Sequence, residues 1–272
     1  MKTASWLSGI LFFAILGILT VMIVTARRGR QLHLRRIPGM DAIDEATGRA
    51  TELGRPMLVT FGLVDIPTYG VIAMQALLVL SHIARLAARF GNRLLVPCAD
   101  VPIYVLCDQV VREAYRAEGK EEAYRADDVR FLSDRQFAYA AGTVGIMNRE
   151  RVGSTFYFGY FFAESLLLAE EGQHIGALQI SGTPATTQIP FFIAATDYVI
   201  IGDEYYAASA YLSKEPTLLG SLVGQDISKA IIIAFVLVGI LWAGAVSLNI
   251  PILGSNTLPW FDKFRHLLGS QI

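Results

Sequence analysis

Charged side chains are scarce in this chain of 272 residues and make up only 17% of it. In an ordinary soluble domain, about a quarter of the residues are charged. Hydrophobic residues account for 53% of the chain. This composition indicates that part of the apolar surface is held outside a normal globular core.

Cysteine and an excess of one charge are also lacking. The two cysteines, Cys98 and Cys107, can form at most one disulfide and do not have the spacing of metal ligands. The formal net charge is −1, which offers no general attraction for nucleic acid. A disulfide-stabilised scaffold, a zinc site and a nucleic-acid-binding protein are therefore disfavoured.

Two long apolar segments, residues 6–24 and 230–247, contain no ionisable side chain. As a helix, the first is roughly 28 Å long, close to the ~30 Å hydrocarbon core of a bilayer. It is longer than the apolar part of a signal peptide and lacks a small-residue cleavage site, so we interpret it as an uncleaved anchor. Outside the two segments, the hydrophobic fraction falls to roughly half, near the ordinary globular range.

These segments predict five parts: a membrane anchor (1–26), a basic linker with a short helix (27–52), a cytoplasmic α/β domain (53–228), a second membrane helix (229–248) and a tail (249–272). Five arginines follow the first span (Arg27, Arg28, Arg30, Arg35 and Arg36), whereas Lys2 alone precedes it. The positive-inside rule then places the domain on the cytoplasmic face of the inner membrane, with both termini outside.

The tail carries aromatic and leucine side chains at helical spacing between residues 259 and 268. This pattern predicts an amphipathic helix, which either lies on the outer leaflet or packs on a neighbouring subunit. Small residues in the second span (Gly239, Ala243, Gly244 and Ala245) favour close packing between helices in the bilayer.

Between the spans, short apolar runs alternate with segments of helical period. This alternation predicts an α/β fold, a Rossmann-like domain with a mostly parallel sheet, flanked by the two transmembrane helices. The predicted strands are 57–61, 93–97, 129–132, 155–158, 177–181 and 198–201. The predicted helices are 41–52, 71–90, 103–117, 135–147, 161–171, 190–195 and 204–212. Asp134 is expected to cap the helix that begins at residue 135.

The first candidate site is the loop after the fifth predicted strand, with Gly182, Thr183, Thr186 and Thr187. Glycine and hydroxyl side chains before a helix can cradle an anion. The loop has neither the lysine nor the spacing of a phosphate-binding loop, so an ordinary turn with a threonine or serine cap is the competing interpretation.

The second candidate site is a set of carboxylates that follow predicted strands: Asp65, Glu164, Asp203 and Glu204. Because parallel strands end at the same edge of a sheet, these groups could converge to bind a cation or to act as acid and base. Their structural alternatives are capping of the next helix by Asp203 and pairing of Glu164 with an arginine.

No stronger catalytic pattern is present. The four histidines lie far apart in sequence and form no metal-binding pair, and no serine or cysteine sits in a nucleophile motif. Nothing in the sequence indicates a particular cofactor. The aromatic-rich segments 156–162 and 205–211 are expected to divide between the core and a contact with a neighbouring subunit.

Three segments carry a resemblance: DDVRFLSDRQFAYAAG (127–142), FFAESLLLAE (161–170) and GSLVGQD (220–226). Together they resemble a prokaryotic membrane-protein family that is known only as a domain of unknown function. The resemblance extends over roughly residues 50–245. It implies an α/β domain between two terminal transmembrane helices, and it implies no activity and no catalytic residue.

Two functions from different classes follow from these observations. The first is a non-enzymatic, membrane-anchored scaffold or accessory subunit that forms a homo-oligomer or joins a larger membrane complex. The alternative is an enzyme or small-molecule-binding domain that uses the crevice between the threonine loop and the carboxylates. A transporter is disfavoured because neither predicted span contains a charge.

Overall fold

The computed structural model describes residues 4–28, 37–202, 204–213 and 216–247. The chain divides into two compact units, and each is described by itself. One unit consists of residues 1–34 and 215–272, and the other of residues 35–214. The predicted tail helix at 259–268 lies outside the described residues.

The first unit contains the helices α1 (Ala4–Arg27) and α9 (Pro216–Ser247). The second unit contains, in chain order, α2 (Pro38–Glu52), β1 (Met57–Gly62), α3 (Ile66–Phe90), β2 (Leu94–Cys98), α4 (Val101–Ala117), β3 (Val129–Phe131), α5 (Gln136–Glu150), β4 (Ser154–Tyr160), α6 (Glu164–His174), β5 (Leu178–Thr183), α7 (Ile189–Ala195), β6 (Tyr198–Ile201) and α8 (Glu204–Ser213).

The six strands form one sheet in the order β3-β2-β1-β4-β5-β6, and every pair is parallel. Every residue of β1, β2 and β5 is buried. Strands covered on both faces read as continuous apolar runs, which is why the sequence predicted them without alternation. The predicted α/β class is confirmed.

Helices cover both faces of the sheet. On one side α3 contacts α2, α4 and α8, and on the other side α6 contacts α5 and α7. The second side buries a cluster in which the rings of Tyr157, Phe161 and Phe192 contact one another. Because all six strands are parallel, their carboxyl ends lie at one edge of the domain.

The observed helix starts and N-caps can be compared with the predicted ones. Asp100 caps α4 by accepting a hydrogen bond from the Ile103 N–H at 3.2 Å, and α4 begins two residues before the predicted start at residue 103. The prediction for Asp134 is wrong, because α5 begins at Gln136 and its N-cap is Arg135, with no side-chain cap bond. Helix α3 begins at Ile66, five residues before the predicted start.

An ion-pair cluster lies at the amino edge of the sheet. Arg93, just before β2, contacts Asp128 at 2.6 Å through Nη2 and Glu150 at 2.7 Å through Nη1. Helix α3 ends at Phe90, the predicted residue, and Gly91 caps it in the left-handed conformation. The predicted strand begins at residue 93, and β2 begins one residue later, at Leu94.

The two ends of the α/β unit lie together. Tyr211 in α8 donates a hydrogen bond from its hydroxyl to Asp41 in the first turn of α2. At the start of α2, Gly39 packs so closely against Ile200 that a Cβ there would lie 2.6 Å from the Ile200 side chain. The chain therefore enters and leaves this unit at neighbouring points.

In the helical unit, α1 and α9 pack against each other. The contact lies at Gly220 and Gly224, where an added Cβ would lie 2.7 Å from Ile23 Cα and 3.2 Å from Leu19 Cα. No atom of the described chain lies within 4 Å of a Cβ built at Gly239, so the packing of the small residues of the second span in the bilayer stays a prediction. The side chains of residues 243–245 lie outside the described part.

By length and composition, two of the described helices could cross a bilayer: Ile66–Phe90 and Leu219–Leu241. The first is 56% buried and is the central helix of the α/β unit, whereas the second is only 11% buried. A shorter apolar helix extends over Phe12–Arg27. Exposed large apolar side chains are thus more frequent per residue on α1 and α9 than on the α/β unit.

Candidate functional site

The strand order reverses between β1 and β4. In open parallel α/β sheets, ligands bind in the crevice outside the carboxyl ends of the strands at this point. The residues that follow β1 and β4 therefore form the candidate site, and they include Asp65 and Glu164 from the predicted acidic set.

Glu164 is completely buried. Its Oε2 accepts a hydrogen bond from Gln136 Nε2 at 2.7 Å, and its Oε1 accepts one from the Phe162 N–H at 3.0 Å. Its partner is thus an amide of α5 rather than the expected arginine. Both carboxylate oxygens are used to hold the start of α6 against the start of α5.

Asp65 caps α3. Its Oδ1 accepts from the Thr68 N–H at 3.1 Å, and its Oδ2 accepts from the Thr68 hydroxyl at 2.9 Å. A side chain that satisfies two local donors in this way stabilises a helix end. The pattern of Asp65 before Pro67 and Thr68 is a visible capping signal in the sequence.

The crevice between β1 and β4 is covered by aromatic rings. The ring of Tyr69 stacks on that of Tyr160 with centroids 4.1 Å apart, and Phe162 contacts Tyr160 edge-on at 5.1 Å. Tyr69 has non-helical backbone angles inside α3, so the helix kinks where its ring meets Tyr160. Desolvation, and then the neighbouring Tyr160, raise the pKa of Tyr69.

The strand ends below these rings are in direct contact. A Cβ at Gly62 would lie 2.4 Å from the carbonyl oxygen of Tyr160, and Gly62 has a φ of 68°. The Leu63 N–H donates to the same carbonyl at 3.0 Å. Only glycine fits at this position, and its role is the close approach of two strands rather than contact with a phosphate.

Tyr139 of α5 fills the space beside β1 and β2. Its hydroxyl is hydrogen-bonded to the Thr60 hydroxyl and donates to the Pro97 carbonyl at 3.3 Å. The side chain is fully buried, and desolvation raises the pKa of its phenol well above the ordinary value. Sequence reasoning missed Tyr139, because its partners lie 79 and 42 residues away.

In the threonine loop, residues 182–187, only some of the side chains are accessible to a ligand. Gly182 and Thr183 are buried, and Thr183 Oγ1 accepts from the Ala185 N–H at 3.2 Å, whereas Thr186 and Thr187 are exposed. The N-cap of α7 is Gln188, with no side-chain cap bond, so the expected threonine or serine cap is absent. Since α7 has seven residues and Pro190 in its first turn, it offers few free amides to an anion.

The rest of the acidic set does not complete a metal site among the described residues. Asp203 lies outside them, and Glu204 is the first residue of α8 and interacts within the chain. Within residues 4–28, 37–202, 204–213 and 216–247, no group of three histidine, cysteine or carboxylate side chains could hold a metal ion.

The aromatic-rich segment after residue 155 divides as expected between core and surface. Phe156, Tyr157, Phe158 and Phe161 are fully buried, whereas Phe162 is 39% exposed. In α8, Tyr205 is buried and donates to the Ile72 carbonyl at 2.8 Å, whereas Tyr206 is 41% exposed. The contact of the exposed rings with another subunit stays a prediction.

A groove of about 530 Å³ lies between α5 and α6. It is lined by Phe137, Ala140, Ala141, Val144, Leu167, Glu170, Glu171 and His174. His174 lies 4.0 Å from Glu171, which leaves the groove with one weak polar pair and an apolar floor. It presents no nucleophile next to a base.

The parallel sheet in the order β3-β2-β1-β4-β5-β6, with helices on both faces, defines a Rossmann-like α/β domain. The chain belongs to the family described as domain of unknown function (DUF6754), whose model matches residues 1–251. The match extends beyond the 50–245 region of the resemblance and includes α1. Neither the curated proteins nor the solved structures contained a match.

Proposed function

We propose that this chain is a non-enzymatic, membrane-anchored scaffold or accessory subunit that works in a homo-oligomer or a larger membrane complex. Its α/β domain lies on the cytoplasmic face of the inner membrane, and both termini lie outside. The observation that carries the proposal is that Asp65 and Glu164, the described carboxylates beside the crevice between β1 and β4, are both used in contacts within the chain. An enzyme or a ligand-binding protein of this fold would use such groups on a ligand.

The chemistry of that crevice supports a structural role. Glu164 and Asp65 are each satisfied by two donors of their own chain, and the Tyr69–Tyr160 stack covers the strand ends. A general acid or base has to reach a substrate proton within hydrogen-bond distance. A fully buried carboxylate with both oxygens occupied does not meet this requirement.

The helical unit supports the membrane anchor. On α1 the side chains of Phe12 and Phe13 are 62% and 70% exposed, and on α9 those of Val238 and Leu241 are 63% and 73% exposed. Apolar surface of this density is stable in lipid and unstable in water. The arginines Arg27 and Arg28 at the end of α1 set the orientation by the positive-inside rule.

Extraction of membranes with alkaline carbonate, followed by native mass spectrometry in detergent, tests both halves of the proposal. The full-length protein is expected to stay in the membrane pellet and to leave the detergent micelle as an oligomer or with partner subunits. Release into the supernatant would contradict the anchor. A monomer at every concentration, without a partner, would contradict the scaffold.

A further inference from the structure

Exposed large apolar side chains form a row along the carboxyl edge of the sheet. Each of the six strands has one at its carboxyl end, in its last residue, in the loop that follows or in the first turn of the next helix. We name this row the apolar rim, and in the order of the sheet it consists of Phe131, Val101, Ile66, Phe162, Phe191 and Ile201. Adjacent strands lie about 4.8 Å apart, so the rim extends over roughly 24 Å.

The amino edge of the sheet has the opposite character. In its last helical turns and the loops that follow them, exposed charged side chains include Glu52, Arg89, Lys120, Glu122, Arg149 and Arg151. In the described strand-to-helix connections of the carboxyl edge, the exposed charged residues are Asp134 and Arg135. Single exposed apolar residues are ordinary on a soluble domain, but a row of them at one edge marks an interaction surface.

The chain enters the α/β unit at the edge that carries the rim. At the start of α2, Gly39 packs against Ile200, the next-to-last residue of β6. Further along α2, the Ala46 carbonyl accepts a hydrogen bond at 2.7 Å from the hydroxyl of Ser154, the first residue of β4. Helix α2 therefore runs from the carboxyl edge to the amino edge.

The chain leaves the unit at the same edge. Tyr211, near the end of α8, is hydrogen-bonded to Asp41 in the first turn of α2. Residues 214–215 then lead to α9, and residues 28–37 lead from α1 to α2. A connection of two residues spans at most about 7 Å. Both connections to the apolar helices α1 and α9 thus start from the edge that carries the rim.

These connections favour a lipid surface as the occupant of the rim. When α1 and α9 cross a membrane, the edge from which both connections leave is the edge tethered closest to the lipid. Apolar side chains in such a place enter the boundary between headgroups and acyl chains, about 5–10 Å deep. The connection 28–37 adds four arginines, which attract anionic headgroups: Arg28, Arg30, Arg35 and Arg36.

We propose that the apolar rim is a membrane-contacting surface, with the lipid of the inner leaflet as its occupant, so that the α/β domain lies on the bilayer with the carboxyl edge of its sheet toward the lipid. The inference rests on the proposed function, because it requires that α1 and α9 cross the membrane. It assigns Phe162 to lipid rather than to a neighbouring subunit.

Helix α3 provides a matched pair of positions for the test. Ile66, in the rim, and Phe90, at the amino edge, are 41% and 50% exposed and lie at opposite ends of the helix, roughly 36 Å apart. The full-length Ile66→Cys and Phe90→Cys proteins are each labelled with a fluorescent probe in nanodiscs of phosphatidylcholine and phosphatidylglycerol. The native Cys98 and Cys107 are buried and are not expected to be labelled.

Two quenchers then report what surrounds each probe. Lipid that carries a nitroxide at its headgroup should quench the probe at residue 66 at least about fivefold more than the probe at residue 90. Iodide in the aqueous phase should give the reverse order, because the rim is withdrawn from water.

Carboxylates placed in the rim test whether its apolar character makes the contact. In the labelled Ile66→Cys protein, Phe131→Glu/Ile201→Glu puts a charge at each end of the rim, and quenching by the nitroxide lipid is expected to fall at least about threefold. Leu53→Glu/Phe90→Glu is the matched control at the amino edge and should have no effect. All four side chains are exposed, so the variants are expected to fold, which far-UV circular dichroism checks.

The outcomes separate the inference from the proposed function. Release of the wild-type chain by carbonate overturns both. Retention in the membrane with equal lipid quenching at residues 66 and 90 overturns the inference alone. So does a probe at residue 66 that neither quencher reaches, combined with a disulfide-linked dimer of unlabelled Ile66→Cys, because a second copy then covers the rim. Lipid quenching that Phe131→Glu/Ile201→Glu leaves unchanged also overturns it. Strong quenching at residue 66 that this variant loses and the control keeps supports it.

Discussion

At the amino edge of the sheet, Arg93 holds two carboxylates, Asp128 and Glu150, by direct ion pairs. At the carboxyl edge, the single buried carboxylate of Glu164 is held by neutral donors, the Gln136 amide and the Phe162 N–H. Both edges are thus closed by contacts within the domain. The comparison teaches that the edge at which this fold normally binds ligands is built in this chain as a structural joint.

Removal of Glu164 is expected to have the largest effect. Glu164→Ala leaves two part-buried donors, the Gln136 amide and the Phe162 N–H, without their acceptor and creates a cavity at a fully buried side chain, which costs about 3 kcal/mol of unfolding free energy. Glu164→Gln keeps the size and one acceptor, so its cost is expected to be about 1–2 kcal/mol. Urea unfolding of the full-length protein in mild detergent measures both.

Far-UV circular dichroism is the appropriate signal for these unfolding measurements, because the three tryptophans, Trp6, Trp242 and Trp260, all lie outside the α/β unit. A Glu164→Ala variant as stable as the wild type would show that the carboxyl edge is not a structural joint and would reopen Glu164 as a functional group.

The amino edge is expected to be nearly as sensitive. Arg93→Met leaves the almost buried Asp128 carboxylate without its partner. Since Arg93 itself is about a third exposed, the expected loss of about 2–3 kcal/mol is below that of a fully buried pair. Arg116→Met breaks an exposed pair with Glu121 and serves as the control, and no measurable loss of stability is expected, because solvent screens the pair. Equal losses for the two variants would contradict this interpretation.

Alkaline pH is expected to weaken the carboxyl edge through Tyr139. Its pKa is raised in the folded state by desolvation, so above about pH 10 the unfolded chain releases the phenol proton first. Stability is therefore lost as the pH rises, by up to about 1.4 kcal/mol per pH unit from this group. Tyr139→Phe should make the decline shallower by that amount above pH 10, although its stability at pH 7 is about 1 kcal/mol lower. Identical slopes would show that Tyr139 ionises in the folded state.

The ring stack over the crevice is expected to contribute less. Tyr69→Ala removes the contact with Tyr160 and should cost about 1 kcal/mol, whereas Tyr69→Phe keeps the stack and should be nearly neutral. The same unfolding experiment compares them. If Tyr69→Ala is stabilising and the crevice then binds a small molecule, the ring is a cover over a binding site and the comparison between the edges fails.

The smallest effect is expected in the threonine loop. Because Thr183 is buried and bonded to Ala185, the accessible hydroxyls are those of Thr186 and Thr187. Thr186→Ala/Thr187→Ala is expected to change stability by less than about 0.5 kcal/mol. The wild type should show no thermal shift with nucleotides, phosphate or divalent metals. A shift that the double variant loses would favour the alternative function, a ligand-binding or enzymatic domain.

The fold was largely predictable from the sequence because its signals are local. Strand β6 was predicted with its observed bounds, residues 198–201, and the helix predicted at 103–117 ends where α4 ends, at Ala117. Asp134 failed as a cap because the chain turns one residue later than its composition suggests.

The candidate site was less predictable because its contacts are tertiary. The sequence marked Glu164, but its partner Gln136 lies 28 residues earlier and has no charge to suggest a pair. In the helical unit, the contact at Gly220 and Gly224 lies in a stretch with polar neighbours, so the predicted span began after it.

The hydrogen bond between Tyr211 and Asp41 has a consequence for how this chain can be rearranged. It brings the first and last helices of the α/β unit together, so the domain has the geometry of an insert whose ends meet at one point. Such a unit can be exchanged or removed with a short replacement loop, and it can be circularly permuted through the same point. In chain order, residues 35–214 are an inserted domain between the two segments of the helical unit.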